Sequence, residues 1–192
     1  MTLYSRVEGA LTRPAQVFHT VLTPTDDPQG LLSEEIWLDA GGRTERWITR
    51  GDDVRIILSD MIFGPGGESE NRRECLGIIG YLAPAATVGF CAAEQSPKRS
   101  PHVEQGVFAG RESIVIVGNP ELRSGDNGIH GVLKFHLDAD SYLPLGYEFV
   151  LTSDAEPADA ESGSFEYTND FVPQESLPRD FFDPSSLKVD EG

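Results

Sequence analysis

The sequence has few of the residues that most often carry catalysis or hold a metal. Among 192 residues it has only two cysteines, Cys75 and Cys91, and four histidines. The cysteines form no Cys-x-x-Cys motif, and no two histidines have the short spacing of a zinc site. A Gly-x-Ser-x-Gly elbow, a phosphate loop and a dinucleotide fingerprint are also missing. We therefore expect a protein that is not an enzyme and that uses no cofactor and no metal.

Positive charge is scarce as well. The chain has 15 Lys and Arg against 32 Asp and Glu, which gives a net charge of -17. Such a surface repels nucleic acid and anionic membranes, so neither is expected as the main partner. Residues 152–192 hold 11 of the acidic residues. This region is expected to be a solvated polar loop at 152–163 and an acidic extension at 177–192, or alternatively a docking surface for a basic partner.

The chain offers little material for a membrane-spanning helix. Cys75–Ala93 is uncharged over 19 residues, but it contains Gly77, Gly80 and Pro84, which suit a lipid-exposed helix poorly. The first residues lack the basic and apolar regions of a signal peptide. The two cysteines at the ends of this stretch could form a disulfide, which would contribute about 3 kcal/mol in the chain-entropy model. They could equally be two buried thiols.

The clearest pattern present is a β-hairpin over residues 131–151. Val132–Leu137 and Leu145–Leu151 have strand composition, and Asp138–Ser141 between them has turn composition. In each strand alternate residues form one apolar side and one mixed side. The pattern predicts an antiparallel sheet with one face turned toward a core, a helix or an apolar ligand.

The remaining segments predict an α+β protein. Leu3–Leu11 has apolar residues at helical spacing, and a second helix is predicted over Ser69–Leu82 with Ser69 as N-cap. Asp183 is a further N-cap candidate, followed by Pro184 at the first helical position. We expect a single domain over residues 1–192, because the length suits one core. Strands are predicted at 16–23, 33–39, 44–49, 54–58, 105–109, 112–118, 132–137, 145–151 and 164–172.

The order of these segments resembles the LolA/LolB-like lipoprotein-carrier superfamily, which includes RseB-like sensor domains. The resemblance covers residues 4–187 and is carried by Glu34–Asp39, Arg43–Trp47, His136–Leu145 and Asp180–Pro184. It implies an unclosed antiparallel half-barrel of about eight to eleven strands. The N-terminal helix and one or two further helices would cover one face. Such a barrel wraps a hydrophobic cavity.

The resemblance also implies a function. It implies a non-enzymatic cell-envelope protein, outside the cytoplasm, that binds a lipid or the acyl chain of a lipoprotein. The alternative is a protein-interaction or envelope-sensor module on the same fold, whose cavity is filled by its own side chains. Apolar residues of the predicted strands become candidates for lining the cavity: Phe18, Ile56, Leu58, Phe135, Tyr147 and Phe149.

Overall fold

The computed structural model describes residues 3–26, 34–41, 44–48, 54–58, 61–63, 69–71, 102–118, 121–124, 127–153 and 161–187. Within these ranges the chain has one α-helix, twelve strands and two 3-10 helices. They are α1 (Leu3–Leu11), β1 (Gln16–Pro24), β2 (Glu34–Leu38), β3 (Thr44–Ile48), β4 (Val54–Leu58), β5 (Met61–Phe63), β6 (Ser69–Asn71), β7 (His102–Phe108), β8 (Arg111–Gly118), β9 (Glu121–Ser124), β10 (Asn127–Asp138), β11 (Pro144–Ser153), β12 (Glu161–Pro173), and the 3-10 helices Gln174–Ser176 and Pro184–Ser186.

The chain divides into two compact units. Unit 1 contains residues 1–23, 29–74 and 167–192, and unit 2 contains residues 24–28 and 75–166. Strand β12 therefore belongs to unit 2 in its first part and to unit 1 in its second. That the chain is a single domain stays a prediction.

In unit 1 the strand order is β6-β5-β4-β3-β2-β1-β12, and the neighbouring pairs from β1 to β6 are antiparallel. Helix α1 buries Val7 and Leu11 completely, as their spacing of one helical turn predicts. The second part of β12 is fixed to β1 by a side chain. The Thr20 hydroxyl lies 2.8 Å from Asn169 Oδ1 and 3.2 Å from the Thr168 carbonyl oxygen, so it satisfies its donor although it is buried.

In unit 2 the strand order is β12-β11-β10-β8-β7, and β9 also pairs with β10. Strands β7 and β8 form a hairpin in which Phe108 pairs with Arg111. The two residues between them, Ala109 and Gly110, have φ values of 49° and 79°. Positive φ at both central positions is the geometry of a type I′ turn, whose twist matches that of the flanking strands.

The predicted hairpin over residues 131–151 is confirmed as β10 and β11. Val132 lies opposite Val150, Leu133 opposite Phe149 and Phe135 opposite Tyr147. Leu133 and Phe135 are buried while Val132 is exposed. This is the alternation that the sequence pattern predicts.

The predicted antiparallel sheet and N-terminal helix are confirmed, with two corrections. The twelve strands exceed the predicted eight to eleven, because three short strands were not foreseen: β5, β6 and β9. The helix predicted over Ser69–Leu82 is wrong at its start, since Ser69–Asn71 is extended and pairs with β5. Residues 72–82 lie outside the described residues. Both strand orders are open, ending at β6 and at β7 in the described part of the chain, and the half-barrel shape stays a prediction.

Candidate functional site

A groove of about 440 Å³ lies on unit 2 across strands β10, β11 and β12. Its volume is in the range of small-molecule sites. The residues that follow β1 form part of its wall, because the Thr25 backbone N–H donates to the Ser164 carbonyl at 2.9 Å. The groove is lined by Thr25, Asp26, Val132, Lys134, Glu148, Phe149, Val150, Ser162, Gly163 and Ser164.

The strand registers explain why this lining is amphipathic. Val132 pairs with Val150, and Lys134 pairs with Glu148 two residues further along β10. Side chains two apart share a face of a strand, so the two valines and the two charged residues lie on the same side of the sheet. The valines remain 38% and 48% exposed. The groove therefore offers an apolar pair beside a pair of opposite charges.

The other face of the same strands carries an aromatic layer. Tyr147 stacks on Phe165 with ring centroids 4.8 Å apart and planes inclined by 13°. Phe149 lies 6.4 Å from Tyr147 and 6.5 Å from Phe165 in nearly parallel orientation. Offset stacking of this kind adds about 0.5–1.5 kcal/mol per pair beyond burial of area. The Phe149 ring also covers Gly163, where an added Cβ would lie 2.7 Å from Phe149 Cε1.

The structure brings three of the predicted ligand-binding residues together. Phe135, Tyr147 and Phe149 lie on adjacent strands of unit 2, and Phe149 is half-buried and lines the groove. Phe135 is completely buried and Tyr147 is 7% exposed.

The other predicted site residues lie elsewhere. Phe18 and Ile56 are in unit 1, and both are completely buried. Leu58 ends β4, where only its backbone belongs to the described structure. Cys75 and Cys91 lie outside the described residues, so their pairing stays a prediction. The assignment of all these residues to a ligand site also stays a prediction.

A chain of polar side chains that the sequence did not reveal runs from the interior of unit 2 to its surface. The Ser113 hydroxyl lies 3.2 Å from His136 Nδ1, and His136 Nε2 lies 3.2 Å from Glu148 Oε2. Ser113 and His136 are buried, whereas the Glu148 side chain is 49% exposed. The residues lie on β8, β10 and β11, and Ser113 is opposite Asp138, two residues along β8 from Val115, which is opposite His136. Only knowledge of that register could have brought them together.

Burial of His136 favours its neutral form. Desolvation by burial lowers the pKa of His136, although the hydrogen bond and charge of Glu148 raise it. The Phe108 ring covers this region, with its centroid 4.8 Å from that of His136, and it also occupies the space where a Cβ on Gly146 would lie. A serine, a histidine and a carboxylate in a row resemble a hydrolytic triad. Here the hydroxyl is inaccessible to a substrate, so the arrangement serves to join three strands.

The turn between β10 and β11 is organised by Asp138. One Asp138 oxygen accepts hydrogen bonds from the Ser141 backbone N–H at 2.8 Å and from the Ser141 hydroxyl at 2.7 Å. The other oxygen pairs with the Arg111 guanidinium. Burial raises the pKa of Asp138, but the hydrogen bonds from Ser141 and the charge of Arg111 outweigh it and lower the pKa overall. In the described ranges no three His, Cys, Asp or Glu side chains cluster as metal ligands would.

Unit 1 contains a second, larger groove of about 880 Å³. It is formed by the turn before β1 and by the segment after β12, which includes Phe181 and Phe182. The Phe181 ring lies edge-on to Trp37 at 5.3 Å and 4.7 Å from the Arg46 guanidinium, and Arg46 Nη1 donates to the Phe181 carbonyl at 2.8 Å. Trp37 in turn stacks on His19 at 3.8 Å. These contacts fix the C-terminal segment to β2 and β3.

No helix in the described part of the chain has both the length and the apolar composition needed to cross a membrane. No protein-family model matches the chain, and no curated protein matches it. Among solved structures the chain is similar to a LolA superfamily protein from Nitrosomonas europaea. The sequence identity is 13%, the match covers 95% of this chain and 97% of that chain, and the TM-score is 0.37. Its superfamily is the one that the sequence resembles. Backbones with this TM-score superpose loosely.

Proposed function

We propose that the protein is a non-enzymatic cell-envelope protein that binds a lipid, or the acyl chain of a lipoprotein, in the groove of unit 2. The observation that carries the proposal is the exposed valine pair of this groove. Val132 and Val150 lie opposite each other on β10 and β11, remain 38% and 48% exposed, and line the groove together. An apolar chain in this groove would cover surface that is now exposed.

The energetics of such binding require no catalytic group. Burying an acyl chain contributes about 0.8 kcal/mol per methylene, so burial of about ten methylenes would supply the roughly 8 kcal/mol of micromolar binding. The polar end of the ligand would lie near Lys134 and the hydroxyl groups of Ser162 and Ser164. Because Glu148 and Asp26 line the same groove, a neutral or zwitterionic head group fits its charge better than a strongly anionic one.

The sequence resemblance supports a location outside the cytoplasm, in the periplasm or anchored to the membrane at the cell surface. A carrier would exchange its ligand with a membrane or with a lipoprotein partner there.

The alternative function, a protein-interaction or sensor module with a filled cavity, is favoured by a different observation. Phe18, Ile56 and Phe135 have no exposed surface. Around these three residues the core is filled by the protein's own side chains. On this alternative the acidic surface would meet a basic partner, and the association would weaken as salt screens the charges.

Titration with a fluorescent phosphatidylcholine, whose head group is zwitterionic, tests the proposed site. Val150→Asp places a carboxylate on the groove face and should weaken binding at least tenfold, because a charge beside an acyl chain is poorly solvated. Val103→Asp is the matched control. It makes a similar apolar-to-acidic change on β7 of the same unit, at a residue that is 57% exposed and outside the groove. Circular dichroism would establish that both variants are folded.

Saturable binding by the natural sequence and by Val103→Asp, with loss in Val150→Asp, is the expected result. Failure of the natural sequence to take up the lipid would contradict the carrier function. Equal loss in both variants would contradict the groove as the site.

A further inference from the structure

Glu148 belongs both to the groove of unit 2 and to the buried polar chain. It lines the groove, and its side chain is 49% exposed. Its Oε2 atom lies 3.2 Å from Nε2 of His136, which is buried. An ionised carboxylate has about four acceptor sites, and the contact with His136 uses one of them. The exposed part of the carboxylate can therefore receive a ligand from the groove while His136 holds the side chain in place.

The strand register places Glu148 where the polar end of a bound lipid would lie. Lys134 is opposite Glu148, and Val132 is opposite Val150 at the next pair on the same side of the sheet. The two pairs are two residues apart along the strands, or about 7 Å. An acyl chain on the valines would therefore bring its head group to a cation and an anion on adjacent strands.

We propose that Glu148 selects a lipid whose head group carries a cationic nitrogen, and that His136 positions the Glu148 carboxylate for it. This inference rests on the proposed function and adds the part of the ligand that the groove recognises. Lys134 would bind the phosphate of the same head group, so the ligand class is a zwitterionic phospholipid. Asp26, which also lines the groove, adds negative charge and disfavours a head group without a cation.

The hydrogen bonds define how His136 acts on Glu148. A carboxylate only accepts, so Nε2 of neutral His136 carries the hydrogen that Glu148 receives, and Nδ1 accepts from the Ser113 hydroxyl at 3.2 Å. A second proton gives the ring a positive charge, which competes with the cationic nitrogen of the ligand for Glu148. Affinity for the zwitterionic lipid should therefore fall as the pH drops through the pKa of His136, which burial lowers from its ordinary value.

Other charged groups lie on the same side of the sheet around His136. The registers place there Lys134 and Asp138 of β10, Glu148 of β11, Arg111 of β8, Glu104 of β7 and Glu166 of β12. Carboxylates outnumber cations in this group, which favours a cationic ligand when His136 is neutral. His102 is exposed and lies 3.6 Å from Glu104, so it is a second histidine whose titration needs a control.

Titration with two fluorescent lipids at about pH 7.5 tests the selection. One is a phosphatidylcholine, and the other is a diacylglycerol with the same acyl chains and no charged head group. Glu148→Gln should weaken phosphatidylcholine binding about fivefold, as expected for a partly exposed charge pair, and leave diacylglycerol binding unchanged. Glu166→Gln is the matched control, because it neutralises an exposed carboxylate opposite Gly146 that lies outside the groove lining.

The pH dependence of binding tests the positioning role of His136. The phosphatidylcholine head group keeps both charges between about pH 5 and 7.5, so a change in its affinity reports on the protein. Affinity of the natural sequence should fall about fivefold toward the acid end, without a matching fall for diacylglycerol. His136→Gln should remove this pH dependence, and His102→Gln should keep it. If His136→Gln does not fold, NMR titration of the natural sequence replaces it. By linkage, bound phosphatidylcholine should lower the pKa of His136 more than bound diacylglycerol does.

The outcomes separate this inference from the proposed function. A selective loss of phosphatidylcholine binding in Glu148→Gln, with a pH dependence that requires His136, is the expected result. An unchanged affinity in Glu148→Gln, or an equal loss in Glu166→Gln, would overturn the selection by Glu148 and leave the groove as a lipid site. A pH dependence that survives in His136→Gln, or a pKa of His136 that is the same with both lipids, would overturn the positioning role. Failure of the natural sequence to bind either lipid would contradict the proposed function itself, and this inference with it.

Discussion

The two units differ in how far apart in sequence their contacting residues lie. In unit 2 the buried polar chain joins Ser113 to His136 over 23 residues and His136 to Glu148 over 12. In unit 1 the contact between Thr20 and Asn169 spans 149 residues, and that between Arg46 and Phe181 spans 135. Both units contain hairpins. In unit 2 the long-range contact is that of Thr25 with Ser164 at the groove, whereas in unit 1 the last part of the chain returns to the first strands through several side chains.

This difference determines how each unit should respond to substitution. Damage to unit 2 acts through the core and the turns between neighbouring strands. Damage to unit 1 acts through side chains that hold a distant segment in place. Four predictions, from the largest effect to the smallest, examine the comparison.

The largest effect is expected from Phe135→Ala in the core of unit 2. Its ring is completely buried, and removing a buried Phe side chain costs about 3–5 kcal/mol of unfolding free energy. Urea denaturation measures the loss. Phe149→Ala on the neighbouring strand is the matched control, and about half that loss is expected because its ring is half-buried. Equal losses of unfolding free energy in the two variants would contradict the assignment of Phe135 to the core and of Phe149 to a half-buried position.

A smaller effect is expected from Phe181→Ala in unit 1. The substitution removes the edge-on contact to Trp37 and the cation–π contact to Arg46, which together contribute about 1–2 kcal/mol. Hydrogen exchange should rise over residues 174–187 with little change in unit 2.

A double-mutant cycle with Arg46→Ala isolates the ring contact, because the hydrogen bond to the Phe181 carbonyl survives when only the ring is removed. A coupling energy of about 0.5–1 kcal/mol is expected. Additive losses, or increased exchange in unit 2 as well, would contradict this account of how the segment is held.

The buried polar chain predicts a pH dependence. Because desolvation lowers the pKa of His136 in the folded state, the unfolded chain binds more protons below the ordinary pKa of about 6.5. The stabilisation that comes from the neutral, buried His136 should therefore be complete above that pH. The free energy of unfolding should decline as the pH falls toward the lowered pKa. Glu148, Lys134 and Glu104 are the charges that act on this ring.

Denaturation curves between about pH 5 and 7.5 would measure the slope. The His136→Gln variant cannot take up this proton, so its free energy of unfolding should depend less on pH. The His102→Gln variant changes an exposed histidine and should keep the pH slope of the natural sequence. An unchanged slope in His136→Gln would contradict the role assigned to burial, and would point to His19, whose pKa burial also lowers.

The smallest effect is a stabilisation at two turns, one in each unit. Ala15 follows Pro14 and has a φ of 59°, and Ala109 has a φ of 49°. Alanine is strained at positive φ, while glycine and asparagine tolerate it. Ala15→Gly and Ala109→Asn should each stabilise the protein by about 0.5–1 kcal/mol. Thermal unfolding measures both, with Ala139→Asn as a control at an alanine without positive φ. A higher melting temperature for Ala139→Asn, without one for Ala15→Gly or Ala109→Asn, would contradict the assignment of backbone strain to Ala15 and Ala109.

The same difference in sequence range explains what could be predicted from the sequence. Strands β1, β4 and β8 were predicted nearly to the residue, because period-two alternation over five or more residues is a local signal. Met61–Phe63 is too short to show a period, and Ser69–Asn71 is polar, with a serine that also suits a helix N-cap. Met61–Phe63 pairs with both β4 and Ser69–Asn71, so each segment becomes a strand through its partners.

The candidate site was predicted in part for the same reason. Phe135, Tyr147 and Phe149 could be placed together because one hairpin contains them. The groove could not be predicted, because its wall depends on Thr25 meeting Ser164, 139 residues away. The Ser113, His136 and Glu148 chain was missed because nothing in the sequence links its members until the register of β8 against β10 is known.

The central claim is that the groove of unit 2 holds an apolar chain. Native mass spectrometry of the purified protein, followed by organic extraction, tests it most directly. The account predicts a discrete added mass that extracts as a lipid, and a Val150→Asp variant that purifies without it. A clean protein mass, with no uptake of added phospholipid or fatty acid, would contradict the claim and leave the interaction module as the function to pursue.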